Sequence, residues 1–126
     1  MIRVLLVDDQ PAVRQGLRMR LALETDVCVI GEAVNGAEAV VMAQVIRPDV
    51  AVIDVDMPGL DGLQAAEALR QLTPGTAVVM LSIHDGDGVR ARARAAGTAA
   101  FVGKHEPPEA LLTAIRGAAL SVRPAA

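Results

Sequence analysis

Tryptophan and tyrosine are absent from this chain, and phenylalanine occurs once, at Phe101. With neither ring available to stack on an isoalloxazine, and no Ser/Thr-rich loop after the first apolar run, a flavin-binding module is a poor reading. Cysteine also occurs once, at Cys28, so no disulfide framework can form, which fits a reducing cytosol. Its setting in Val27-Cys28-Val29-Ile30 leads us to expect a buried, structural thiol. No apolar run approaches the roughly 20 residues of a membrane helix, and Met1-Ile2-Arg3-Val4 lacks the basic-then-apolar layout of a signal peptide. The expectation is a soluble, cytoplasmic protein with no membrane partner. The net charge of -3 carries no electrostatic footprint for nucleic acid, so DNA binding by the chain itself is not expected. Internal repeats and low-complexity segments are lacking as well.

What is present is apolar and periodic. At 126 residues and 52% hydrophobic side chains, the chain is the size of one domain with a sizeable core. Short apolar runs at Ile2 to Val7, Val27 to Ile30, Val50 to Ile53, Ala77 to Leu81 and Ala99 to Val102 read as strands. Between them, Val13, Leu17 and Leu21, then Val40, Val41 and Val45, then Leu63, Ala66 and Leu69, each mark one face of a helix. A last helix begins at Pro107-Pro108, where proline suits the first turn, and buries Leu111, Leu112, Ile115 and Ala119. The fourth helix is the weakest, because Gly86 and Gly88 fall at its start; Asp85 to Arg92 is expected to be mobile. Strand and helix alternate, which means βαβ units, and the strands are apolar at successive positions, as when both sheet faces are covered. The predicted architecture is α/β, a doubly wound (βα)5 parallel sheet.

The polar residues concentrate at the strand ends. Asp8 and Asp9 follow the first run, Asp54 ends the third, Ser82 ends the fourth, and Lys104 lies just past the fifth. In an open parallel sheet all these positions meet at one edge, where side chains are free of core packing. Clustered carboxylates raise one another's pKa unless a cation holds them, and a set of oxygen ligands favours a hard divalent ion such as Mg2+. With a metal and Lys104 supplying positive charge, the natural guest is a phosphoryl group and the natural nucleophile a carboxylate, so Asp54 is expected to form an aspartyl phosphate.

Together, Val7-Asp8-Asp9, Asp54-Val55-Asp56-Met57-Pro58-Gly59-Leu60-Asp61-Gly62, Leu81-Ser82 and Phe101-Val102-Gly103-Lys104 resemble the receiver domain of bacterial two-component response regulators. That resemblance implies a flavodoxin-like receiver fold with strand order 2-1-3-4-5. It implies Asp54 as phosphoacceptor, and Asp9, Asp54 and the Asp56 backbone carbonyl as Mg2+ ligands, with Asp8 as the second acidic residue. Ser82 resembles the hydroxyl that moves to meet the phosphoryl oxygen, Lys104 its charge partner, and Phe101 the aromatic switch. The implied donor is a phosphohistidine on a sensor histidine kinase. The segment from Lys104 to Arg116 looks more like receivers fused to a LuxR-type helix-turn-helix domain, although His105 stands where many receivers have a proline in a cis bond. The implied role is the regulatory half of a transcription factor, not an enzyme beyond its own phosphorylation and slow dephosphorylation. Residues 1–120 would form the receiver, and 121–126 a linker or tail, DNA being reached only through a C-terminal domain missing from this chain.

Plainer alternatives stand beside these assignments. Asp8 and Asp9 precede Pro11 and would also suit a helix amino terminus. Lys104 alone is an ordinary surface lysine, Phe101 alone an ordinary core residue, and Met57 and Met80 packing residues. Asp61 reads as a helix cap. Arg90, Arg92 and Arg94 read as a solvated helix face, or with the fifth helix as the flank of a homodimer surface. Asp56 and His84, each two residues past a site residue, are expected to tune phosphate lifetime or else to be plain loop polarity. Asp54-Val55-Asp56 is also the DxD of haloacid-dehalogenase-type phosphohydrolases, but there it belongs on the first strand, with the acidic pair after the lysine. A stand-alone receiver acting by protein contact is the remaining alternative.

Overall fold

All five apolar runs become strands: β1 (Ile2–Val7), β2 (Val27–Ala33), β3 (Val50–Asp54), β4 (Ala77–Ser82) and β5 (Ala100–Gly103). The computed structural model describes residues 1–57, 62–83 and 86–122. The strands pair in parallel in the order β2-β1-β3-β4-β5, as expected. The helices are α1 (Pro11–Leu21), α2 (Gly36–Ile46), α3 (Gly62–Leu72), α4 (Asp87–Ala95) and α5 (Pro108–Val122). Because α5 runs through Val122, the expected boundary at residue 120 falls inside its last turn. The proposed cap Asp61, His84, Asp85 and residues 123–126 lie outside the described residues.

Alternation along the strands divides the core in two. Val4, Leu6, Val50, Val52, Val79, Leu81 and Val102 face one way, beneath Leu21 of α1 and Leu111, Leu112 and Ile115 of α5. Leu5, Val7, Ala51, Ile53, Val78 and Met80 face the other way, beneath the alanines of α2, α3 and α4. Burial on both faces is why the strand sequences are apolar at consecutive positions.

Helix starts follow local chemistry. Pro11 opens α1. Asn35 caps α2 by accepting the Glu38 N–H at 2.8 Å, while the Glu38 carboxylate accepts the Val34 N–H at 3.3 Å. Neither Asp8 nor Asp9 caps α1: its N-cap is Gln10, and no acidic residue lies in the first turn.

Two expectations are corrected. Val41 and Val45 are exposed, at 64% and 76%; α2 buries Gly36, Ala39 and Ala43 instead. This helix is apolar nearly all round, so its sequence does not choose a face, and its small side chains are the ones that let it lie close on the sheet. Cys28 is exposed rather than buried. It is the second residue of the edge strand β2 and pairs with Arg3, itself exposed.

Candidate functional site

Register carries the acidic residues to one place. Val7 pairs with Ile53, so Asp8 and Asp54 are the next residues along adjoining strands, about 5 Å apart in backbone. Asp54 pairs with Leu81 and Ser82 with Gly103, which sets Ser82 and Lys104 at the same edge. Continued alternation turns Asp8, Asp54 and Lys104 toward the α1/α5 side, whereas Ser82 and Phe101 belong to the α3/α4 side.

Asp8 and Asp54 are buried, Asp9 and Asp56 exposed, and Ser82 fully enclosed. The Lys104 ammonium lies between the two buried carboxylates, 3.3 Å from Asp54 Oδ2 and 3.5 Å from Asp8 Oδ2. It is therefore no ordinary surface lysine. Asp54 Oδ1 accepts the Asp56 N–H at 2.9 Å, and Asp8 Oδ1 accepts the Gln10 N–H at 2.9 Å. Burial pushes the Asp54 carboxyl above the usual aspartate range; the Asp56 N–H and Lys104 act against that shift, and Asp8 adds to it.

One carboxylate oxygen from each of Asp8, Asp9 and Asp54 lies within 4.8 Å of the others, a grouping that could hold a metal ion. Asp8 Oδ2 is buried and accepts no hydrogen bond among the described residues. That oxygen, 3.5 Å from the Lys104 ammonium, is open to a further ligand, and the all-carboxylate donor set suits a hard divalent ion.

The start of α3 lies tight against the end of β3. A Cβ on Gly62 would stand 2.3 Å from the Asp54 carbonyl oxygen, so only glycine lets α3 begin there. At β5, the Lys104 N–H donates to the Ser82 carbonyl at 2.8 Å, tying the lysine's backbone to the neighbouring strand end. Among the described residues every peptide is trans, including that between Lys104 and His105.

Four contacts escaped sequence reasoning. Arg14 donates from Nη1 to the Asp8 carbonyl at 2.7 Å and from Nε to Glu32 at 3.3 Å, bracing the loop that carries the acidic pair. The Ser82 hydroxyl donates to Asp56 Oδ2 at 3.2 Å. Arg90 is not simply solvated: its guanidinium carbon lies 4.7 Å from the centre of the half-buried Phe101 ring, whereas Arg92 and Arg94 are exposed as expected. Helical spacing held a clue to the last, since Arg90 is one turn before the buried Ala93 that faces the sheet.

The family model described as response regulator receiver domain matches residues 4–116. The uncharacterized transcriptional regulatory protein YxjL of Bacillus subtilis is 39% identical over 118 residues, 94% of this chain and 54% of that protein. A protein-glutamate methylesterase/protein-glutamine glutaminase of Methanospirillum hungatei is 38% identical over 108 residues, covering 86% of this chain and 31% of that enzyme. Among solved structures, a LuxR-family two-component response regulator from Aurantimonas sp. superposes with a TM-score of 0.92 at 30% identity, covering 98% of this chain and 88% of that one. The chain thus spans about half, or less, of the length of these two curated relatives.

Proposed function

The chain belongs to the response regulator receiver domain family, and from that premise we propose that it accepts a phosphoryl group on Asp54 from the phosphohistidine of a sensor histidine kinase. The observation carrying this reading is the convergence of Asp8, Asp54 and the Lys104 ammonium at one edge of the sheet. In the transfer, a bond forms between an Asp54 carboxylate oxygen and phosphorus as the bond from phosphorus to the donor imidazole nitrogen breaks. Asp8, Asp9, Asp54 and the Asp56 backbone carbonyl would hold Mg2+, which when bound neutralises charge on the phosphoryl oxygens. With the Asp56 N–H, Lys104 opposes the upward pull of burial on the Asp54 carboxyl, and its ammonium faces the incoming charge. The Asp56 N–H holds Asp54 Oδ1 and so orients the nucleophile.

Signalling follows locally. The added charge attracts the Ser82 hydroxyl, the end of β4 shifts, and the Phe101 ring follows. The chain through the end of α5 acts as the receiver, and the residues after it as a connection to an output domain. Likeness to YxjL and to a LuxR-family regulator supports a DNA-binding output domain and thus the regulatory half of a cytoplasmic transcription factor. Likeness to the methylesterase supports a second reading, control of an attached enzyme, in which this chain itself turns over no substrate. Asp54→Asn is expected to abolish Mg2+-dependent labelling by acetyl phosphate. Labelling retained in that variant, followed by mass spectrometry, overturns the assignment.

A further inference from the structure

Asp56 stands between the two groups that must respond to a phosphoryl group. Its N–H is given to Asp54 Oδ1 at 2.9 Å, and its carboxylate Oδ2 accepts from the Ser82 hydroxyl at 3.2 Å. One residue thereby ties the acceptor on β3 to the hydroxyl at the end of β4. Ser82 is 0% exposed, so its hydroxyl has no access to bulk water and depends on protein partners. A hydroxyl has one proton: while it is donated to Asp56, it cannot be donated to an oxygen of a group on Asp54. The acceptor that holds it is a carboxylate, the strongest kind of side-chain partner for a neutral donor. Asp56 itself is exposed, its backbone already anchored, so its side chain can let go without disturbing the core.

We infer that Asp56 is a positioning residue that holds the Ser82 hydroxyl in the resting state, so that a phosphoryl group on Asp54 must win this proton from the Asp56 carboxylate before the switch completes. The inference rests on the reading of Asp54 as acceptor and adds to it a built-in threshold. It makes a distinctive demand, since the effect of Asp56 must pass through the hydroxyl of Ser82. If Asp56 acted only as a nearby negative charge, its removal would help an incoming anion whether or not that hydroxyl were present.

The test is a double-mutant cycle on the full chain with Mg2+, using beryllofluoride as the phosphoryl mimic and the fluorine NMR signal of the bound mimic as readout. Asp56→Ala is expected to tighten binding about fivefold, the scale of one net hydrogen bond. In the Ser82→Ala background the same change is expected to alter binding by less than about twofold, within the usual additivity error for uncoupled sites. Equal tightening in both backgrounds overturns the inference in favour of simple charge repulsion, and weaker binding by Asp56→Ala overturns it outright. Thermal melts check that Ser82→Ala stays folded. Should the unmutated protein bind no beryllofluoride, or Asp54→Asn bind it equally well, the acceptor reading fails and the inference with it. Tight binding at Asp54 without coupling leaves the acceptor reading standing and removes only the role of Asp56.

Discussion

Asp54 is buried beside a second carboxylate, and the balance of that arrangement is readable in its pH dependence. Burial holds its folded-state pKa above the usual aspartate range, against the pull of the Asp56 N–H and Lys104. A carboxyl raised on folding leaves stability intact below the unfolded-state value; the stability is lost as pH rises toward the folded-state value, above which the full cost of ionisation is present. Asp54→Asn removes that cost. In chelator, the variant is expected to melt higher than the parent at pH 7, with the difference vanishing below the ordinary aspartate range. A parent more stable than the variant at pH 7 would mean that Lys104 outweighs burial. The same residue scale accounts for Gly62, where any Cβ would meet the Asp54 carbonyl oxygen and push the start of α3 off the site.

Between elements, one connection between residues far apart in sequence is the ion pair of α5 with the turn before β2. Arg116 contacts Asp26 Oδ2 at 2.9 Å and Glu24 Oε1 at 2.8 Å, pinning the two ends of the α1/α5 layer together. Its guanidinium holds both carboxyls below their usual range, chiefly by hydrogen bonding. For a carboxyl lowered on folding the sign is opposite to that of Asp54: the stability is present above the unfolded-state pKa and is lost as pH falls through the folded-state value. Arg116→Ala is therefore expected to lower Tm modestly at pH 7, by less in high salt, and to make no difference at pH values acid enough to protonate both carboxyls. Melting curves across pH and salt check this; a deficit that persists in acid would assign the effect to packing of the arginine stem. α2 shows another element-scale rule: with Val41 and Val45 exposed and Ala39 and Ala43 inward, closeness to the sheet outweighs side-chain size in deciding which residues are buried.

For the molecule as a whole, the acidic edge links ligand binding to folding. Asp8, Asp9 and Asp54 come from two strand ends that are distant in sequence, so only the folded chain assembles them. An ion that binds the native state alone stabilises it by mass action: Mg2+ at ten times its dissociation constant adds about 1.4 kcal/mol. For a domain of this size we expect Tm to rise by roughly 5 °C, and the rise to be reversed by chelator and lost in Asp9→Asn. Calorimetry with and without Mg2+ decides it; a rise that survives Asp9→Asn would place the ion elsewhere. Among the described residues no helix is long and apolar enough to cross a membrane.

Much of this protein was determined by the sequence alone. Both faces of a parallel sheet must be covered, so strands and helices announce themselves by period, and the carboxyl ends of the strands share one edge, so Asp8, Asp54, Ser82 and Lys104 were traceable to one site. Family likeness supplied the strand order and the roles proposed for these residues. Only tertiary structure decided the rest. Cys28 is exposed because β2 is an edge strand, a fact about neighbours and not about the run around it. The buried face of α2 depended on rotation that an evenly apolar helix leaves open. Arg14 on Asp8, Arg90 on Phe101 and Asp56 on Ser82 depend on the reach of side chains between elements, which no spacing within one element encodes. Period along the chain specifies what a residue does within its own element; contact across elements depends on the three-dimensional distances that folding creates.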